Sequence, residues 1–165
     1  MATIYHDDAR VYALLRDRAD EIGAALDRIR GRTEWGVKAF TARRPDNGAP
    51  AAAPDPDRPG TSYLMRRCAG RDATASGRER ALDAAAALHG RLAGSAVASR
   101  RYPPQDPRLS GRTEEMVLNA AYLVDGGAAE DLRALAADSD AVLHVELTGP
   151  WVPYSFATLD HPEER

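Results

Sequence analysis

A chain of 165 residues, 44% apolar and 28% charged, has the length and composition of one soluble domain with a real core, and a formal charge of −3 is too small to imply a nucleic acid or another polyionic partner. The single cysteine, Cys68, excludes an internal disulfide, and no apolar run approaches the roughly 20 residues of a membrane-spanning helix. No charged-then-apolar leader precedes Asp7-Asp8, so the expected compartment is the cytoplasm, with no lipid-membrane partner.

From Asp7 to Arg30 the apolar positions Val11, Leu14, Leu15, Ile22, Ala25, Leu26 and Ile29 form one stripe and predict a long amphipathic helix. Asp7 and Asp8 complement its N-terminus, Arg28 and Arg30 its C-terminus, and Gly31 is placed to stop it. Thr33 to Ala42 reads as a strand, with Trp35, Val37 and Ala39 on one face and Lys38 and Phe40 on the other. Pro45 to Gly60 holds no large apolar residue and is expected to be a flexible loop.

Thr61 to Gly94 carries helix signal in two pieces, around Tyr63–Cys68 and Ala81–Leu92, with Gly70, Thr74, Ser76 and Gly77 between them. A continuous helix stays open, since each interior glycine costs only about 1 kcal/mol relative to alanine. Ala96 to Tyr102 and Glu115 to Asp125 read as strands, Ala128 to Asp138 as a short helix with Leu132 and Leu135 inward, and Ala141 to Glu146 as the last strand. After the leading helix the order is β-α-β-β-α-β. The expected fold is therefore α+β: a ferredoxin-like four-stranded antiparallel sheet with two helices on one face, preceded by an additional long amphipathic helix. That helix either covers the other sheet face or docks elsewhere.

The stretch Leu147-Thr148-Gly149-Pro150-Trp151-Val152-Pro153-Tyr154-Ser155-Phe156 closes the last strand, which is expected to stop at the first proline. Its three rings each bury about 150–250 Å² when enclosed, so the segment is either a lid on the core or an anchor for a partner.

Candidate chemistry is sparse. His6, His89, His144 and His161 lack a ligand spacing that would place two on one metal. His144 and Glu146 share a strand face and, with a nearby arginine, form the best candidate for a base and its orienter. Cys68 lies among Arg66, Arg67 and Arg71, yet its apolar neighbours suit a small helix filler. No nucleophile elbow, P-loop or dinucleotide fingerprint appears, so no catalytic, metal or cofactor residues are assigned and no cofactor is expected.

Glu34-Trp35-Gly36-Val37-Lys38, Ala121-Tyr122-Leu123-Val124-Asp125 and Thr148 to Phe156 together resemble the GvpL/GvpF family of gas vesicle proteins, the last motif being the most specific. Family members usually carry a first α/β domain ahead of the segment like Thr3-Ile4-Tyr5. The resemblance therefore implies that residues 1–165 are a single domain, the family's second, C-terminal one. It also implies a non-enzymatic accessory protein, either a minor shell component or an assembly factor, in the cytoplasm and at the gas vesicle. The implied partners are the hydrophobic shell protein GvpA, whose aggregation it would limit, and other gas vesicle accessory proteins. Candidate partner-binding residues are Val11, Leu15, Ile22 and Ile29 on the leading helix, Phe40 on the second sheet face, and Trp151, Tyr154 and Phe156. The alternatives are a small α+β enzyme or ligand-binding module using His144 and Glu146, and a scaffold that self-associates through an open sheet edge or face.

Overall fold

The alternating stretches pair with one another. In the computed structural model, which describes residues 4–42, 59–106 and 112–158, strands β1 (Arg32–Thr41), β2 (Ala98–Arg101), β3 (Met116–Asp125) and β4 (Leu143–Trp151) form one sheet. Its order is β2-β3-β1-β4 with every neighbouring pair antiparallel, the arrangement expected of the split-βαβ plan. Helices α3 (Pro59–Ser95) and α4 (Ala129–Ala137) pack on one face. There Trp35, Val37 and Ala39 of β1 and Leu118, Ala120, Tyr122 and Val124 of β3 meet Ala81, Ala85, Leu88 and Leu92 of α3 and Leu132 of α4. Each of these enclosed leucines contributes about 1.5–3 kcal/mol of burial free energy, which is why this layer dominates the fold.

The expected long leading helix is two helices, α1 (Asp8–Asp17) and α2 (Ala19–Ile29), parted at Arg18 with φ −116° and ψ 20°. The break is a single residue, because Arg18 N–H still donates to Leu14 and Ile22 N–H to Arg18, both at 2.9 Å. Between Leu15 and Ile22 the apolar stripe has a gap, so no packing holds the turn straight. Asp7 caps α1 by accepting from Arg10 N–H at 2.8 Å, and Gly31, at φ +71°, ends α2 as expected. The open question about this helix has an answer: Ile29 of α2 packs with Ala121, Leu123, Ala98 and Phe156 on the second sheet face.

Helix α3 is continuous rather than divided, and at 1.5 Å per residue it is about 55 Å long. Gly70 and Gly77 are tolerated inside it, and the long stretch is tethered where Arg78 clamps Glu115 by hydrogen bonds of 2.8 to 3.0 Å. The Glu115 hydrogen bond and charge raise the pKa of Arg78 further above its ordinary value. Arg91 ties the far end to Asp138 at the close of α4. Strand β2 is shorter than expected, although Val97 and Tyr102 extend its ladder with single bonds of 2.8 Å to Leu123 and Asn119. The expected loop over 45–60 lies outside the described residues, apart from Pro59 and Gly60, which open α3.

The largest departure is β4, which runs past Gly149-Pro150 to Trp151 instead of stopping there. It is an edge strand paired only with β1, so a proline can stand with its donorless side facing out of the ladder.

Candidate functional site

The terminal segment is assembled around Gly149. Its φ is +134°, and a Cβ there would lie 2.9 Å from the Glu34 carbonyl oxygen and 3.0 Å from the Trp35 ring. Only glycine lets β4 press this closely on β1. Thr148 stands opposite Gly36 and Trp151 opposite Glu34, so β4 carries one extra residue here, a bulge that includes the cis Gly149–Pro150 bond. The bulge re-aims the chain, which folds after Trp151 into a 3₁₀ turn over Tyr154–Phe156.

Glu34 fixes that turn. Its Oε2 accepts from Ser155 N–H at 3.0 Å and its Oε1 from Ser155 Oγ at 2.7 Å. Phe156 is buried against Leu123, Ala121 and Ile29, and Pro153 is buried beside it in sequence. Their neighbours in the segment are exposed, Trp151 by 58%, Val152 by 60% and Tyr154 by 79%. Within one segment Phe156 enters the core, as expected of a lid, while Trp151 and Tyr154 remain outside. Replacing Glu34 by alanine removes both charge-assisted bonds and is expected to lower stability by about 1.5–3 kcal/mol in urea denaturation.

A family model described as gas vesicle synthesis protein GvpL/GvpF matches residues 1–158. The chain belongs to the GvpL/GvpF family. It is 41% identical over 163 residues to gas vesicle protein L of Streptomyces sp. (strain CB03234), a match covering 96% of this chain and 61% of that protein. Among solved structures it resembles gas vesicle protein GvpF from Anabaena sp. PCC7120, with a TM-score of 0.58 at 17% identity over 97% of this chain and 65% of that one. GvpF from Microcystis aeruginosa gives a TM-score of 0.54 at 17% identity, over 89% of this chain and 63% of that one. At these identities the structures establish the shared fold, and the chain spans less than two thirds of the length of each relative.

The three stretches that carry the GvpL/GvpF resemblance are far apart in sequence and adjacent in space. Glu34, Trp35 and Gly36 pair with Leu123, Tyr122 and Ala121 on one side, while Glu34 and Gly36 pair with Trp151 and Thr148 on the other. A Cβ on Gly36 would lie 2.7 Å from Thr148 Oγ1, so this glycine too answers to the approach of β4. What the motif residues build together is the mount for the aromatic turn.

The other candidate residues are dispersed. Val11 and Ile22 are half-buried, and Leu15 is exposed on α1, a helix that encloses none of its own residues. Ile29 joins Phe156 in the smaller core cluster. Phe40 is buried at the far end of β1, where Arg112 lies 4.3 Å over its ring. Val152, between Trp151 and Pro153 in the same stiff segment, is exposed as well, as are Tyr12 on α1 and Leu26 on α2.

His144 and Glu146 do acquire an arginine. Arg112 hydrogen-bonds and ion-pairs with Glu146, while His144 Nε2 stands 3.6 Å from the same carboxylate oxygen, too far for the bond that orients a catalytic base. The imidazole is exposed beside an open hollow lined by Ala42, Arg112, Glu114 and Leu143. The carboxylate is committed to the arginine, whose planar face is in turn spent on Phe40. Among the described residues no three His, Cys, Asp or Glu side chains are grouped to hold a metal ion, and no helix is long and apolar enough to cross a membrane. Cys68 is exposed on α3 rather than packed as a filler.

Proposed function

We propose that this chain is a gas vesicle accessory protein, a minor shell component or assembly factor that binds the hydrophobic shell protein GvpA and limits its aggregation while vesicles form. Membership of the GvpL/GvpF family supports the process. The observation that carries the binding role is the exposed row Trp151, Val152 and Tyr154, held on a turn that Phe156 and the Glu34–Ser155 clamp fix in place. Large rings on a pre-ordered backbone give up little conformational entropy when an apolar partner covers them, and Trp and Tyr dominate binding energy at interfaces. The same logic calls for no catalytic group. In this reading the protein acts in the cytoplasm and at the vesicle, alongside other accessory proteins.

The test is to dilute the shell protein from denaturant with and without the purified chain and follow what stays in solution. The chain should hold the shell protein soluble at near-equal stoichiometry; an unchanged aggregation rate would contradict the reading. The double variant Trp151→Ser/Tyr154→Ser should keep its stability within about 0.5 kcal/mol, because both side chains are largely solvated already. Its affinity for the shell protein should fall by roughly 30-fold or more, the loss of at least one interface hot spot, as read by titration calorimetry.

A further inference from the structure

Away from the aromatic turn, a polar contact joins α3 to the sheet within the main layer of the core. Tyr122 of β3 is fully enclosed, and among the described residues its hydroxyl has one hydrogen-bond partner, His89 Nδ1 of α3, at 2.7 Å. The two rings are 5.7 Å apart and tilted by 50°. We propose that His89 and Tyr122 form a pH-sensitive latch that seals α3 onto the β2–β3 side of the sheet, closed when His89 is neutral and weakened when it takes a proton.

The donor arithmetic makes the contact one-sided. Neutral His89 offers Nδ1 as an acceptor, and the enclosed hydroxyl has one hydrogen to place there. Protonated His89 turns Nδ1 into a donor; the hydroxyl oxygen can accept from it, but the hydroxyl hydrogen must then swing into apolar packing with no acceptor. The surrounding charge works in the same direction. Among the described residues, the groups that bear on His89 are the Tyr122 hydroxyl of β3 and, through its charge, Arg101 of β2, which opposes a second cation. Further along α3, Arg91 is already paired with Asp138 at the end of α4, so that carboxylate is engaged. Burial, and then Arg101, lower the His89 pKa below its ordinary value, while burial pushes Tyr122 up to about 12 against the opposing effect of Arg101. Tyr122 therefore stays a neutral donor throughout the working range.

The sign follows from linkage. With the folded pKa depressed, the unfolded chain binds more protons once the pH falls below about 6.5, and stability declines from there down to the lowered folded pKa. Above about 6.5 the contribution is fully present. Within the window the folded-to-unfolded ratio falls by up to about tenfold per pH unit through this one group.

The test combines a proton-NMR titration of His89 in the intact chain with thermal unfolding at pH 7.5 and 5.0 of the wild type, His89→Gln and Tyr122→Phe. The latch requires His89 to titrate below about 6.5, the ordinary histidine value, and faster amide exchange over residues 85–93 at the lower pH. It also requires a smaller acid-induced drop in unfolding temperature for His89→Gln, whose side-chain carbonyl can still accept from Tyr122 but cannot titrate. Tyr122→Phe should raise the His89 pKa by removing the donor that favours the neutral ring. A His89 pKa at or above the ordinary value, or an undiminished acid-induced drop in His89→Gln, would overturn the proposal. Should either variant fail to fold, the wild-type titration decides alone.

Discussion

Gly149→Ala should be among the most damaging single substitutions in the chain, lowering stability by about 2–6 kcal/mol. Two effects combine. A side chain at φ +134° holds the backbone in a region that only glycine enters freely, at about 1–3 kcal/mol. The new methyl would also stand within 3.0 Å of the Glu34 carbonyl and the Trp35 ring. Neither neighbour yields easily, because the first is ladder backbone and the second is a buried ring with Arg133 stacked 4.7 Å over it, so overpacking adds about 1–3 kcal/mol. Gly90→Ala is the matched control. It lies in α3 with open space where its Cβ would be, so alanine there should raise stability by about 0.5–1 kcal/mol. Equilibrium denaturation of the two variants beside the wild type measures both signs at once.

Phe156→Ala should lower stability by about 3 kcal/mol or more, the lower end of the range for removing a buried phenylalanine, since the smaller core cluster it belongs to can partly collapse. Phe156 joins α2 to the second sheet face, because Ile29 and Leu123 share its cluster. Its loss should therefore show first as faster hydrogen exchange in α2 and the first residues of β1, with the α3 and α4 layer still protected. Trp151→Ala, five residues earlier but exposed, should change stability by no more than about 0.5 kcal/mol. A similar loss for both would mean that the turn does not divide inside from outside as described.

These contrasts show what a sequence carries and what it does not. The alternation in β1 was plain because Trp35, Val37 and Ala39 face the main core while Glu34, Gly36 and Lys38 between them do not, and the β-α-β-β-α-β succession of elements then implied the sheet and its order. The kink at Arg18 was visible in principle, as a six-residue gap in an apolar stripe between Leu15 and Ile22, but periodicity counted over the whole segment averages a gap away. Continuity of α3 was undecidable locally, since its glycines argue for a break and only tertiary anchoring through Glu115 and the sheet argues against one. The run of β4 through Pro150 could not be foreseen without knowing that β4 is an edge. The Glu34–Ser155 clamp joins residues 121 apart and leaves no periodic trace. Of the candidate site, the aromatic content was legible and its division was not. Which ring turns inward depends on a bulge, and a bulge is a property of two strands together.

A photoreactive amino acid placed at Tyr154, and in parallel at Leu82, an exposed position on α3 on the opposite sheet face, tests the central claim most directly. Irradiated with the shell protein while both remain in solution, position 154 should form the covalent adduct and position 82 should not. An adduct from 82 with none from 154, in a mixture where the shell protein stays soluble, would show that the aromatic turn is not the surface through which this protein works.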